Sequence, residues 1–145
     1  MKNLLVNYIL TTIVLIAIPL LLYTIFTKYP GAGRLDGLSI TGLILVIPSC
    51  ILLVIARFQL GRSFSISAQA IELVTRGLYS KIRHPIYLFA QLMFIGLIFC
   101  IRNFLFFIPW FILLIIQIRR IKNEERVLED KFGELYHEYK KNTWF

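Results

Sequence analysis

The residues best suited to chemistry lie in two short polar segments. Arg83, His84 and Pro85 stand directly before an apolar run, and Glu124 and Glu125 follow the next apolar run. A proline in the first turn of a helix leaves free backbone N–H groups at the helix N-terminus, and an anion binds well there. Arg83 adds a full positive charge to such a site. A basic residue is also common at the start of any membrane helix, and composition alone favours that simpler interpretation.

The segment around the two glutamates has the spacing of one helix face. Its residues follow one another at steps of four and three, namely Ile121, Glu125, Leu128, Phe132, Leu135 and Tyr139. Glu125 therefore lies on an apolar stripe, where a carboxylate is costly unless it is paired. We expect its partner to be Arg83, Arg119 or a cationic ligand, and a structural ion pair fits the pattern as well as a functional role does. Gly133 should end or bend this helix.

Other kinds of catalytic site find no support in the sequence. It contains no dinucleotide-binding GxGxxG, no P-loop and no Cys/His spacing typical of a metal site. The only histidines are His84 and His137, and no Ser or Cys has a convincing base partner. Cys50 and Cys100 fall within apolar runs, where cysteine is usually a packing residue. We therefore expect no metal and no nucleophilic triad.

The elements that must position the polar segments are apolar helices. Of the 145 residues, 58% are hydrophobic and 17% are charged, and mean hydropathy is +0.74. Soluble domains have about 45 to 50% apolar and about 25% charged residues, so the composition indicates a membrane protein and excludes a disordered or disulfide-stapled chain. Four apolar runs, residues 4–26, 38–56, 86–101 and 104–118, predict an all-α polytopic protein with about four transmembrane helices. The first run is long for a signal peptide and is expected to be retained.

The charge distribution predicts the orientation in the membrane. Arg102 and Asn103 separate the last two runs, which we interpret as a helical hairpin. With four spans, Lys28, Arg34 and Arg102 fall on one side, and the other thirteen of the sixteen Lys and Arg residues fall on the opposite side. The excess of positive charge marks the cytosolic side. Both termini, the middle loop and a C-terminal helix are therefore expected in the cytosol, and the net charge of +8 is first a topology signal rather than a sign of nucleic-acid binding.

Residues 60–145 resemble the isoprenylcysteine carboxyl methyltransferase family and the related phospholipid methyltransferases. The resemblance depends on three sequence stretches in family order, which are Leu60 to Ser65, Leu73 to Tyr79 and Arg83 to Tyr87. It also depends on Glu124 and Glu125 followed by Leu128, Phe132, Gly133, Tyr136 and Tyr139. The family pattern has a glycine where this chain has Phe89, and a proline that is missing after the last basic residues.

The resemblance implies an integral membrane enzyme that uses S-adenosylmethionine, in one domain with two N-terminal spans in residues 1–59 and a cofactor-binding core in residues 60–145. The cofactor-binding residues that it implies are Tyr79, Arg83, His84, Pro85, Tyr87, Glu124, Glu125 and Tyr136. Those expected to take part in catalysis are Arg83, His84 and Glu125. The cofactor's carboxylate suits Arg83 and His84, whereas its sulfonium cation suits a carboxylate and the tyrosine ring faces.

The acceptor of the methyl group remains open at this level. The resemblance implies carboxyl O-methylation of an isoprenylcysteine-like lipophilic substrate that enters from the bilayer. The alternatives are a phospholipid amine and a small thiol or amine, from which a proton must leave to Glu125 or His84. Two other classes of function compete with methyl transfer. They are an NADPH-dependent membrane reductase and a non-enzymatic scaffold whose basic loop binds anionic lipid. The number of copies in the assembly is not readable from the sequence.

Overall fold

The computed structural model describes residues 36–60 and 73–144, together with Thr27, and every regular element in these ranges is helical. The helices are α1 (Gly37–Leu60), α2 (Pro85–Ile101), α3 (Phe107–Phe132) and α4 (Glu134–Asn142). Short 3-10 turns, Gly77–Ser80 and Phe104–Phe106, precede α2 and α3. The all-α prediction is thus confirmed for the described residues. The first predicted span, residues 4–26, lies outside them.

The other three predicted spans each coincide with an apolar helix. Two helical segments, Gly37–Leu60 and Phe104–Phe132, are long and apolar enough to cross a membrane. The third, α2, has 17 residues, or about 25 Å of helix, against about 30 Å for the hydrocarbon core of a bilayer. Helix α3 extends beyond residue 118, the predicted end of the last span, and includes the first part of the predicted C-terminal helix, because residues 119–132 contain neither glycine nor proline to stop it.

Polar residues fix where α1 begins and where α2 ends. The Asp36 carboxylate accepts a hydrogen bond from the backbone N–H of Ser39 at 3.1 Å and so caps α1. The same carboxylate forms an ion pair with Arg102, with 2.7 Å between Arg102 Nη1 and Asp36 Oδ2. Arg102 is the C-cap residue of α2 and has a left-handed backbone conformation with φ of 61°. The start of α1 therefore lies beside the end of α2, so the two helices run antiparallel.

Helices α1 and α2 pack closely because small residues line their interface. Between them Val46, Met93 and Leu97 form a buried cluster. A Cβ atom added to Gly96 would lie 2.7 Å from the Gly42 carbonyl oxygen, and one added to Gly42 would lie 2.7 Å from the Gly96 carbonyl oxygen. Small residues at such crossings let helix backbones approach each other, which is how helices associate in lipid.

We expect Gly96→Ala to lower the stability of the protein in detergent by about 1 to 3 kcal/mol, because the new methyl group must push two backbones apart. The measurement is the thermal unfolding midpoint of the purified protein. Gly37→Ala is the matched control, since a Cβ atom at Gly37 meets nothing within 4 Å. A midpoint for Gly96→Ala at or above that of Gly37→Ala would contradict the close approach.

Helix α3 packs differently from α1 and α2, since none of its residues is buried against the rest of the described chain. It ends at Gly133, whose φ of 49° is in the left-handed region that favours glycine. The chain turns there, and α4 buries Tyr136 and Tyr139. The predicted bend at Gly133 is confirmed, and of the two stripe residues beyond it Tyr139 is buried but Leu135 is not. Leu135 is 65% exposed, because the turn at Gly133 changes which residues face inwards.

Candidate active site

The loop that carries Arg83 and His84 is held by the end of α1. The side-chain oxygen of Gln59 accepts a hydrogen bond from the backbone N–H of Leu78 at 2.7 Å. Gly77 has φ of +64°, and a Cβ atom there would lie 2.4 Å from the Gln59 side chain. Glycine thus lets the chain turn tightly over Gln59 before α2 begins.

The C-terminal residues hold the same loop from the other side. The Tyr139 hydroxyl donates a hydrogen bond to the Tyr79 carbonyl oxygen at 2.6 Å, and the Trp144 N–H donates to the Lys81 carbonyl oxygen at 3.0 Å. The Thr143 hydroxyl donates to the Tyr139 carbonyl oxygen at 2.8 Å. Burial raises the pKa of the Tyr139 hydroxyl to about 12, so this donor keeps its proton at neutral pH.

Glu125 is the centre of a charged cluster that joins the loop to α3 and α4. Its carboxylate oxygens lie 3.5 Å from Arg83 Nε, 3.5 Å from His84 Nε2 and 3.6 Å from Lys140 Nζ. Its side chain is 20% exposed, against 17% for Arg83 and 8% for His84. Lys140 also pairs with Glu129 at 3.0 Å. Arg83 is one of the partners that the sequence predicted for Glu125, and Arg119 is not among the contacts of this carboxylate.

Several polar atoms of the cluster are buried without a hydrogen-bond partner in the described part of the chain. They are Arg83 Nε, His84 Nε2 and Tyr136 Oη. Arg83 is thus at ion-pair distance from Glu125, and His84 is equally close to it, but neither contact has hydrogen-bond geometry. Buried polar groups are nearly always satisfied, so these three atoms are available to water or to a polar ligand.

His84 is held neutral by its surroundings. Burial lowers the pKa of this imidazole below its usual value of 6.5, and the nearby Glu125 and Glu124 carboxylates offset only part of that effect. The residue precedes Pro85, which is fully buried in the first turn of α2. A neutral imidazole at this position can accept a proton or a hydrogen bond at physiological pH.

The stability of the protein should fall as the pH decreases through 6.5, the usual pKa of histidine. In the unfolded chain His84 takes up a proton near that pH, whereas in the folded protein it does so only at lower pH, so acid favours unfolding. The measurement is the unfolding midpoint in detergent between about pH 8 and pH 5.

The matched pair of variants for this prediction is His84→Gln and His137→Gln, which remove the two histidines of the chain in turn. His137 lies exposed on α4. We expect His84→Gln to flatten the pH dependence and His137→Gln to retain it. The same pH profile in all three proteins would contradict a buried neutral His84.

Glu124 belongs to a second polar cluster, which joins α2 to α3. Its carboxylate accepts a hydrogen bond from the Tyr87 hydroxyl at 2.5 Å and another from Arg120 Nε at 3.0 Å. The Arg120 guanidinium also lies over the Tyr87 ring, 5.8 Å from its centroid. A cation is thus accommodated on this ring face. The rings of Tyr87 and His84 are 5.9 Å apart, so the two clusters are neighbours.

The structure brings the sequence-predicted site residues into one region. Arg83, His84 and Glu125 are in contact, while Tyr87 and Glu124 form the adjacent pair. The remaining three, Pro85, Tyr79 and Tyr136, are buried around them. Burial raises the pKa of the Tyr79 and Tyr136 hydroxyls, so both act as proton-bearing groups at neutral pH.

Sequence reasoning missed two members of this region. Arg120 was detectable, because it stands four residues before Glu124, at the spacing of a helical ion pair. Lys140 carried no such signal. It reaches Glu125 only because the chain turns at Gly133 and α4 comes back towards α3.

A comparison with models of known protein families gives a match, and this match covers most of the region. A family model described as phospholipid methyltransferase matches residues 36–135, which is more than half of the chain. The match includes Arg83, His84 and both glutamates, and it ends one residue before Tyr136. No curated protein matches the chain at a significant level.

Proposed function

Because the chain belongs to the phospholipid methyltransferase family, and is therefore a membrane methyltransferase that acts on lipid, we propose that it transfers a methyl group from S-adenosylmethionine to the amine of a phospholipid headgroup. The observation that carries this proposal is the charged cluster around Glu125, in which buried Arg83, His84 and Tyr136 atoms lack partners. Such a cluster at the end of two apolar helices fits a polar cofactor beside a lipid substrate.

The residues of the cluster fit the cofactor's two kinds of charge. Arg83 would hold the carboxylate of its amino-acid part, with the free N–H groups at the start of α2 near by. Glu125 and the face of the Tyr87 ring that Arg120 does not cover would hold the cationic part. When bound, S-adenosylmethionine supplies a methyl group activated by a positively charged sulfur.

The protein's own residues would supply position, a dry environment and a proton acceptor. A headgroup ammonium must lose one proton before its nitrogen lone pair can attack, and the N–C bond would then form as the bond between the methyl group and sulfur breaks. His84 is kept neutral by burial and can take that proton, with Glu125 stabilising the resulting imidazolium at 3.5 Å. Holding the two substrates together away from water would supply most of the rate enhancement.

The competing acceptor is the isoprenylcysteine carboxylate that the sequence resemblance implied. A carboxylate carries no proton to remove at neutral pH, so His84 would have no proton to accept in such a reaction. An amine acceptor makes His84 necessary. A small thiol or amine is the third possibility, and it would not require a lipid tail.

We propose the topology that the charge distribution predicts, with one multi-pass membrane domain and both termini and the site in the cytosol. The described helices support it, because Arg83, Lys81 and Lys140 lie at the end of the helices opposite Asp36 and Arg102. A cysteine introduced at Lys141 should react with a membrane-impermeant thiol reagent in inside-out vesicles and remain protected in right-side-out vesicles.

The test of the proposed function is ligand stabilisation followed by turnover. S-adenosylmethionine or S-adenosylhomocysteine should raise the unfolding midpoint in detergent, whereas NADPH and anionic lipid alone should not. Micelles with an ethanolamine-headgroup phospholipid should then yield methylated lipid, and a prenylated cysteine acid should not. Stabilisation by NADPH would favour a reductase, stabilisation by lipid alone would favour a scaffold, and methylation of the carboxylate alone would overturn the amine assignment.

A further inference from the structure

A third polar contact between α2 and α3 lies deeper along the helices than the Tyr87 and Glu124 pair. The side-chain amide of Gln91 donates a hydrogen bond to the side-chain oxygen of Gln117. Gln91 follows Tyr87 by one helical turn, about 6 Å, and Gln117 precedes Glu124 by two turns, about 10 Å. Both glutamines lie within the apolar parts of their helices.

This amide pair leaves one atom unsatisfied. The Gln91 side-chain oxygen is buried and has no hydrogen-bond partner in the described part of the chain. The Gln91 amide nitrogen already donates to Gln117, so the unsatisfied atom is the carbonyl oxygen, which is a hydrogen-bond acceptor. An unpaired carbonyl is costly in hydrocarbon, and polar residues at that depth usually mark the path of a substrate.

The pair continues the line of polar groups that begins at the charged cluster. On α2 the line runs through His84, Tyr87 and Gln91 at steps of three and four residues, which is one helix face. On α3 it runs through Glu124, Arg120 and Gln117 at the same steps. Contacts from Tyr87 to Glu124 and from Gln91 to Gln117 show that these two faces meet.

The surface beside this line suits the tail of a lipid. The apolar side chains next to Gln117 on α3 are open, with Leu113 at 46%, Ile116 at 55% and Ile118 at 46% exposure among the described residues. A lipid could keep its acyl chains against this surface while its headgroup reaches between α2 and α3. A headgroup nitrogen that bears N–H groups would then meet an acceptor oxygen on the bilayer side of the charged cluster.

We infer that the Gln91 side-chain oxygen, held in place by Gln117, accepts a hydrogen bond from the headgroup amine and orients it for methyl transfer. The inference rests on the proposed function. Gln91 is thus a specificity-determining residue, because its oxygen favours acceptors with N–H groups and disfavours a carboxylate, and Gln117 is a positioning residue that acts through it.

The test uses Gln91→Met, which keeps the length of the side chain and removes the acceptor oxygen. The probes are an ethanolamine-headgroup phospholipid and its N-methyl and N,N-dimethyl forms in mixed micelles. The neutral primary amine has N–H groups to donate and the neutral dimethylamine has none. We expect kcat/KM to fall about tenfold for the primary amine and less than twofold for the dimethylamine, with unchanged affinity for S-adenosylhomocysteine by calorimetry.

Ser39→Ala is the matched control, because Ser39 is also buried between helices with an unsatisfied oxygen, but at the end of α1 that lies beside Arg102. It should leave kcat/KM unchanged for all three lipids. Gln117→Leu should reproduce the selective loss of Gln91→Met, since the Gln91 amide would no longer be held.

Each result bears on a different claim. An equal loss for the three lipids, or a lower unfolding midpoint with unchanged selectivity, would overturn the inference and reduce the pair to an interhelical contact. If the wild-type protein methylated no amine lipid but accepted a carboxylate, the proposed function would fail as well. A wild-type protein that methylates amines, with Gln91→Met indistinguishable from it, would overturn the inference alone.

Discussion

Replacing Glu125 with glutamine should abolish most of the activity while the protein remains folded. Three basic side chains, Arg83, His84 and Lys140, lie within 3.6 Å of this one carboxylate. The amide that replaces it has the same shape but carries no charge to balance Arg83 and Lys140 or to face a sulfonium. Loss of one charge interaction in a largely buried site lowers the affinity for a ligand by about 10- to 100-fold. We expect turnover to fall by at least as large a factor.

The expected loss has a signature apart from activity. S-adenosylmethionine carries a positive charge on sulfur and S-adenosylhomocysteine does not, so a carboxylate that faces this sulfur favours the first ligand. Calorimetry on Glu125→Gln should therefore show a larger loss of affinity for S-adenosylmethionine than for S-adenosylhomocysteine. Equal losses for the two ligands would contradict the assignment of Glu125 to the sulfonium.

Glu129→Gln is the matched control for this variant. Glu129 lies one helical turn after Glu125 on α3 and contacts the same Lys140, at 3.0 Å. It is 35% exposed, and its ion pair is with Lys140 rather than with Arg83 or His84. An exposed ion pair contributes little, so this variant should bind both ligands as the wild type does. Similar losses in Glu125→Gln and Glu129→Gln would indicate that Lys140, rather than the site, explains the effect.

The sequence was enough to predict the helical class and most of the helix boundaries. Apolar runs without charge predicted the positions of α1 and α2 closely, because the polar residues Asp36, His84 and Arg102 lie at the ends of these helices. Pro85 and Gly133 marked a helix start and a bend for local steric reasons, which do not depend on the rest of the fold. The sequence did not show that the last apolar run and the predicted C-terminal helix join into one helix, since a helix continues wherever its residues remain good helix formers.

The site was predictable where its residues come from local patterns, and not where the fold brings distant residues together. Glu125 was identifiable as an acid on an apolar stripe that needed a partner, and Arg83 is among its contacts. Leu135 was misplaced, and Lys140 was missed, because both depend on the direction in which the chain leaves Gly133. A single backbone angle of that kind changes every contact that follows it, and helical periodicity carries no information about it.

Replacing Arg83 with leucine should remove the recognition of the cofactor's carboxylate, and this is the second of the two largest effects. The Arg83 guanidinium is 17% exposed, lies 3.5 Å from Glu125, and keeps a buried Nε atom without a hydrogen-bond partner in the described chain. A guanidinium that binds a carboxylate contributes more than a neutral hydrogen bond does. We expect the affinity for S-adenosylhomocysteine to fall about 30-fold or more.

A ligand without the amino-acid part distinguishes recognition of the carboxylate from general damage to the site. Methylthioadenosine keeps the adenosine and the sulfur of the cofactor but lacks its carboxylate, so Arg83→Leu should bind it nearly as well as the wild type does. Lys81→Ala is the matched control, because Lys81 stands two residues earlier, is exposed, and contacts Trp144 through its backbone alone. If Arg83→Leu weakened both ligands equally, Arg83 would serve to hold Glu125 and the loop, and the carboxylate would have to be bound by other groups at the start of α2.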